Sequence, residues 1–511
     1  MQRSSFLSGG LVLRTNAAGI SAERCEILVT QGQIAALLPP GAPRPDDAVV
    51  IDASDRLIMP GLVNAHTHGH GALGRGAVGD RVSLEMFLSG AGAINGNRSL
   101  DDKRLTTLLS AAELIRRGCT SCYDLFVEVP LPTVEGIHAV ATGYREAGLR
   151  AVVAPMMADR TLFQALPGLL DSLPPAERRR AEALATAPHS ASLEACRAIL
   201  NGWTLDRAEQ RPALAPTIPL HCSDAFLTGC RDLAEEFDVG IQTHLGETRS
   251  QAVLGLARYG RSLTAHLQHL GLLRPNLSAA HGIWLEDDDL RRLADAGIAG
   301  ISHNPMSNLR IGSGIAPTRR MLDHGITLGI GTDASNTGDG QNMFEAMRLG
   351  SYLSRIAEAE PERWLSVEES FAAATTGSAA ILGLDRVGRI EPGWAADLVL
   401  LDLAAPHYVP LRDALRQMLF AESGAAVDSV MVAGRLLLDR GRLLTLDEAA
   451  LRGAAQQAAV RLDAANAPAK ALAAALERHV ACFCLGTQRL LFGARRNLVA
   501  EAVAQNPPSG R

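Results

Sequence analysis

The spacing of hydrophobic and polar positions changes character twice along the 511 residues. Near the N-terminus short apolar runs alternate with turns: Leu11 to Leu13, Glu26 to Val29, Ile34 to Leu38 and Val49 to Ile51, with Gly41-Ala-Pro-Arg-Pro as an evident loop. Runs of that length, punctuated by glycine and proline, predict β-strands. A longer apolar run, Leu57 to Val63, ends in Asn64-Ala-His-Thr-His. Beyond it, helical periodicity alternates with short apolar strands. Asp101 to Arg117 carries Leu105, Leu108, Leu109, Ala112 and Ile115 on one helical face, and a strand, Thr120 to Phe126, follows Gly118. Val152 to Met157, Val239 to His244, Leu277 to His281, Ile298 to Ser302 and Ile326 to Asp333 predict further strands, with helices at Asp232 to Phe237, Asp287 to Ala296 and Thr318 to His324. This alternation predicts an α/β fold, a (β/α)8 TIM-type barrel rather than an open doubly wound sheet. No glycine-rich phosphate loop follows any of these strands, which counts against dinucleotide binding.

From about Ile390 strand patterning returns, in Gly393-Trp-Ala-Ala-Asp-Leu-Val-Leu-Leu-Asp-Leu and in Val427 to Ala433. These segments are expected to join the N-terminal strands in a small β-sandwich domain built from both chain ends. The boundaries expected are 1–59 and 386–450 for that domain and 60–385 for the barrel. Residues 451–511, rich in Ala, Leu and Arg, are expected to form a helical extension that ends in a disordered Pro507-Pro-Ser-Gly.

Composition narrows the class. Hydrophobic residues make up 47% and charged residues 20%, ordinary values for a globular chain. A net charge of -6 gives no support to nucleic-acid or anionic-membrane partners. Neither a signal-like segment nor a membrane-length apolar run is evident, so a cytoplasmic location, a small-molecule substrate and a homo-oligomer (dimer or higher) are expected. Eight cysteines in a chain of this length do not make a disulfide framework, and Cys119/Cys122 reads as strand packing rather than half of a zinc ribbon.

The chemistry lies at strand ends. Residues i and i+2 of a strand face the same side, so His66 and His68 can reach one ion together. His244 and Asp333 end later predicted strands, where a parallel barrel builds its active site. Three imidazoles and a carboxylate suit one borderline divalent ion, zinc first and iron second. Glu247, one turn past His244, and His281, at the end of its own strand, supply the acid–base groups that metal-assisted hydrolysis needs.

Gly61-Leu-Val-Asn-Ala-His-Thr-His resembles the first metal motif of the amidohydrolase superfamily. Thr243-His-Leu-Gly-Glu247, Ala280-His281-Gly-Ile-Trp-Leu, Ser302-His-Asn-Pro-Met-Ser-Asn308 and Gly331-Thr-Asp333 are similar to its later motifs, in order. The likeness is strongest to the branch of cytosine, guanine and S-adenosylhomocysteine deaminases and triazine hydrolases. It implies His66, His68, His244 and Asp333 as metal ligands, Glu247 as proton shuttle, and His281 against the attacking water or the substrate. Asp333, assisted by His281, would take the water's proton, and Glu247 would protonate a ring nitrogen before ammonia leaves. Two-metal members add a bridging carboxylated lysine. The chain has two lysines, Lys103 and Lys470, and neither ends a candidate barrel strand, so one metal is expected.

The implied activity is hydrolytic deamination of an amino-substituted purine, pyrimidine, pterin or triazine. The alternative is hydrolysis of a cyclic amide, a urea or a C–Cl bond. Candidate substrate contacts are Arg75, His70, Arg160, Thr217, His221, Trp284 and Asn304, and Ser335-Asn336 are candidates for the mouth. Thr217 stands where relatives tend to place His or Arg, which argues against S-adenosylhomocysteine and guanine. His70 continues the His-x-His alternation and is expected in a pocket or structural role rather than as a fourth imidazole ligand.

Overall fold

The computed structural model describes residues 4–16 and 19–488. Its centre is a parallel barrel with strands β1 (Leu62–His68), β2 (Cys119–Val127), β3 (Arg150–Met157), β4 (Gln210–Pro216), β5 (Gly240–Leu245), β6 (Leu277–His281), β7 (Gly300–His303) and β8 (Leu328–Ile330, resuming at Asp333–Ala334). Neighbours in this order pair in parallel, and the two halves of β8 close the ring: Leu328–Ile330 pairs with β7 and Asp333–Ala334 pairs with β1. The uninterrupted strand expected from Ile326 to Asp333 is thus broken at Gly331-Thr332. A Cβ at Gly331 would lie 2.3 Å from Asn304 Oδ1 and 2.8 Å from the His66 carbonyl oxygen, so only glycine lets the closing strand approach the metal motif this closely.

Most other barrel boundaries fall within a residue or two of expectation; the helix expected at Asp232 to Phe237 begins earlier, at Asp224, where Ser223 caps it, and β4 was not among the expected strands. The helix after β1's long loop runs Leu100–Arg116, started by a reciprocal capping box between Ser99 and Asp102. Helix Val134–Ala147 ends at Gly148 in the left-handed conformation, which turns the chain into β3. Inside the barrel, Val63, Tyr123, Leu125, Val152, Ala154 and Ala213 pack into one buried cluster, a plugged floor rather than a channel.

The apolar run Leu57 to Val63 serves two structures. Arg56–Pro60 belongs to a seven-stranded sheet that also contains Leu11–Asn16, Leu398–Asp402 and Val427–Val432, whereas β1 begins just past Gly61. A four-stranded sheet (Ser5–Ser8, Glu26–Thr30, Gln33–Leu38, Val49–Asp52) faces it, and Leu7, Ile27, Ile34, Ile58, Leu398 and Met431 fill the space between. Both chain ends therefore contribute to one β-sandwich. Cys119 and Cys122 are buried on β2, and burial pushes both thiols up, away from the thiolate form a metal or redox role requires.

Two helices, Glu448–Ala465 and Ala467–Gln488, form the C-terminal extension, and Pro507-Pro-Ser-Gly lies outside the described residues. The second packs along the helix Leu84–Asn95, whose Ser-Gly-Ala-Gly-Ala stretch has little bulk; a Cβ at Gly90 would sit 3.9 Å from Ala473 Cβ. Among the described residues no helix is long and apolar enough to cross a membrane.

Candidate active site and metal centre

The C-terminal ends of β1, β5, β6 and β8 bring His66, His68, His244, His281 and Asp333 together, all buried. Each imidazole is fixed through Nδ1. His66 meets Gln242 Oε1 at 2.7 Å, His68 the Leu125 carbonyl at 2.7 Å, His244 the Thr217 carbonyl at 2.6 Å and His281 Asn308 Oδ1 at 2.8 Å. Gln242 is itself oriented by donating to the Ala65 carbonyl and Ser278 Oγ, both at 3.1 Å. An oxygen acceptor at each Nδ1 requires the proton there, which leaves the Nε2 lone pairs aimed inward.

Those lone pairs converge. His68 Nε2 and His244 Nε2 are 3.2 Å apart, and Asp333 Oδ1 lies 3.2 Å from His68 Nε2 and 3.6 Å from His66 Nε2. Donors around a tetrahedral ion with bonds of about 2.0–2.1 Å stand roughly 3.3 Å from one another, so the spacing suits a zinc-sized ion. His66 Nε2 is buried without a hydrogen-bond partner, as a ligand atom would be. The donor set and its geometry fit a divalent metal.

Electrostatics agree. Burial lowers the pKa of His66 and His244, and that of His281 to about 4. Burial also opposes charge on His68, but the hydrogen bond and charge of Asp333 outweigh it and raise His68. Burial pushes Asp333 up, yet its bonds to His66 and His68 hold it well below the usual carboxylate range. Glu247 behaves oppositely: burial, then the charges of Asp333 and Glu85, push its carboxyl well above the usual range. Its Oε1 lies 3.8 Å from His281 Nε2, and its Oε2 is buried and unpartnered.

Two of these residues carry left-handed backbone, His281 at φ 73° and Asp333 at φ 60°. For a non-glycine residue this costs on the order of 1–3 kcal/mol, so surrounding bonds must impose it. At Asp333 the fully buried Gln341 does so. Its Nε2 donates to the Asp333 carbonyl at 2.8 Å, and its Oε1 accepts from Thr67 Oγ1 and Thr332 Oγ1 at 2.8 and 2.7 Å. Asn64 ties β1 to Thr332 from the other side. Replacing Gln341 with Met is expected to weaken metal affinity ten- to a hundredfold, read by competition with a chromogenic chelator. Unchanged affinity would show that Asp333 holds its conformation without Gln341.

A small pocket of about 80 Å³ opens beside this cluster, lined by His68, His244, Glu247 and Asp333 at one end. His70 and Thr217 also line it, as expected. His70 Nδ1 accepts the Val127 N–H at 3.3 Å, and burial holds the ring neutral, so it takes no place among the converging donors. The remaining candidates do not line this pocket. Arg75 points away and pairs with Glu113 on the outside of the barrel. Arg160 donates to the Cys222 carbonyl, and Trp284 Nε1 to the Ser313 carbonyl, so both brace loops. His221 is buried near Arg258 and Arg160, which with burial take its pKa to about 4, and it does not line the pocket. Asn304 sits behind His281, its Oδ1 accepting from Ser302 at 3.0 Å. Ser335 and Asn336 are buried past β8, and neither lines the pocket.

Sequence reasoning gave no role to Gln242, Asn308 or Gln341; Asn308 closes the Ser302–Asn308 motif, whereas no local pattern marks the two glutamines. It also missed the pocket wall on helix Leu84–Asn95, although Leu84, Phe87, Leu88 and Ala91 recur at i, i+3, i+4 and i+7.

A barrel with this histidine–carboxylate cluster defines a metal-dependent hydrolase, and comparison with known proteins makes it one acting on C–N bonds. The amidohydrolase family model matches residues 57–437, and the chain belongs to that family. It is 30% identical over 449 residues to the 5-methylthioadenosine/S-adenosylhomocysteine deaminase of Syntrophobacter fumaroxidans, covering 86% of this chain and 94% of the other. The 5'-deoxyadenosine deaminase of Methanothermobacter thermautotrophicus is 32% identical over 470 residues, 90% and 99% of the two chains. Among solved structures, a zinc-bound adenosine deaminase from Xanthomonas campestris superposes with a TM-score of 0.78 at 28% identity, over 89% of this chain and 98% of that one. Zinc-bound atrazine chlorohydrolase from Arthrobacter aurescens shares the fold at TM-score 0.77 and 24% identity, over 89% and 99%.

Proposed function

We propose that the chain is a zinc-dependent deaminase of an amino-substituted heterocycle, with one ion held by His66, His68, His244 and Asp333. The observation that carries this reading is Glu247, a buried carboxyl with raised pKa and an unpartnered oxygen at the end of a pocket beside the donor cluster. Relatives named as deaminases of 5-methylthioadenosine, S-adenosylhomocysteine and 5'-deoxyadenosine support an aminated purine-type ring. A single ion is supported by the lysines: Lys103 pairs with Glu128 and Lys470 with Asp463, both away from the cluster. The same donors also accept iron.

Bound there, the ion supplies Lewis acidity and brings the pKa of a water toward neutrality. Asp333 Oδ2, 3.9 Å from His281 Nε2, is placed to take up a proton from the attacking water, and neutral His281 steadies it by hydrogen bonding. Glu247 holds its proton at the pocket side and gives it to the ring nitrogen next to the reacting carbon, which makes that carbon electrophilic. With the water's oxygen bonded to that carbon, the proton held by Asp333 passes to the amino group, the C–N bond breaks to release ammonia, and the remaining hydroxyl proton returns to Glu247 as the carbonyl forms.

The experiment is an ammonia-release screen of the zinc-loaded enzyme over aminated purines, pyrimidines, pterins and triazines, with cyclic amides, ureas and chlorotriazines beside them. Ammonia from an aminated ring is expected. Turnover confined to the cyclic amides, ureas or chlorinated rings would overturn deamination and leave the metal hydrolase intact.

A further inference from the structure

We propose that the pocket selects aminated rings carrying an uncharged, apolar arm, and that helix Leu84–Asn95 enforces the choice. This rests on the deaminase reading above. His68, His244, Glu247 and Asp333 line the pocket together with Leu84, Phe87, Leu88 and Ala91 of that helix, with Asn95 at its end, and with Met156 near the end of β3 and Ile218 just past β4. An arm extending from the reacting ring therefore meets a lining that is mostly carbon. Burying methylenes there is favourable, whereas an ionised carboxylate or ammonium would lose its hydration against a lining whose polar side chains, besides the reacting groups, are His70, Asn95, Thr217 and Thr337, too few to replace a hydration shell.

Two contacts keep the wall from moving aside for a hydrated arm. Glu85, itself buried, accepts a 2.7 Å hydrogen bond from Thr248 Oγ1, which pins the start of the helix to the segment carrying Glu247. Behind the helix lies Ala467–Gln488, packed closely at Gly90 and Ala473 and anchored by the buried Leu476 and Val480. The C-terminal extension thus acts on specificity from outside the pocket.

The test uses matched pairs in two ring series: 5'-methylthioadenosine against S-adenosylhomocysteine, and N-ethyl against N-carboxymethyl diaminotriazine. For the zinc-loaded enzyme kcat/KM is read by ammonia release, and for zinc-loaded Glu247→Gln protein Kd is read by calorimetry. The uncharged member is expected to lead by about a hundredfold or more in whichever series binds, and Leu88→Arg is expected to narrow that ratio at least tenfold. A charged member within threefold of its partner, or binding of neither pair, overturns the proposal. If the pairs bind but release no ammonia, the deaminase reading fails, and the Kd ratio still decides the role of the wall.

Discussion

Glu247→Gln leaves the metal in place and lowers turnover by about a thousandfold or more, within the range that a positioned general acid contributes. The variant keeps the size of the side chain and replaces its acidic O–H with a non-acidic amide. Glu247 lies within 4.8 Å of Asp333 and His281 but is not one of the four proposed ligands, so those four are untouched. Burial and the neighbouring charges of Asp333 and Glu85 push its carboxyl well above the usual range, toward the form that can donate a proton, and a glutamine beside the same groups has no acid to offer. Metal content by plasma emission and kcat by ammonia release check the two halves separately. Near-normal turnover would remove Glu247 from the chemistry, and loss of metal would make it a ligand.

Asp333→Ala abolishes both metal retention and activity. Asp333 Oδ1 lies within 3.2 and 3.6 Å of two converging imidazoles and supplies the only negative charge that compensates a dication among the four proposed ligands. Three neutral imidazoles remain, with His68 no longer held up by its carboxylate partner. The residue also accepts the proton from the attacking water in the proposed chemistry, so residual metal would not restore the rate. Full metal occupancy in the variant, measured after dialysis against a weak chelator, would contradict its place among the ligands.

How much of this was visible beforehand follows from the physics of each element. The donor cluster was legible because strand geometry has period two and parallel barrels place strand ends at one face, so His66, His68, His244, His281 and Asp333 could be gathered without knowing the packing. Partners across strands were not. Gln242, on β5, reaches His66 on β1, a strand with which β5 does not pair, and Gln341 reaches Asp333 from the loop past β8, and nothing local marks either residue. Arg75, Arg160, His221, Trp284 and Asn304 were chosen for standing near motifs in the chain, yet proximity in sequence says little about which way a loop side chain turns. Arg75 found Glu113 instead. The wall helix showed its apolar stripe plainly, but only the packed Ala467–Gln488 helix reveals which face is left for the pocket.

The central claim is a single metal ion driving deamination, and a zinc titration of metal-free protein tests it most directly. Ammonia release from an aminated heterocycle is followed as zinc is added in fractions of an equivalent per chain. The expected trace rises from zero and breaks sharply at one equivalent. A break at two equivalents, or ammonia release that is undiminished in the metal-free protein, would contradict the account.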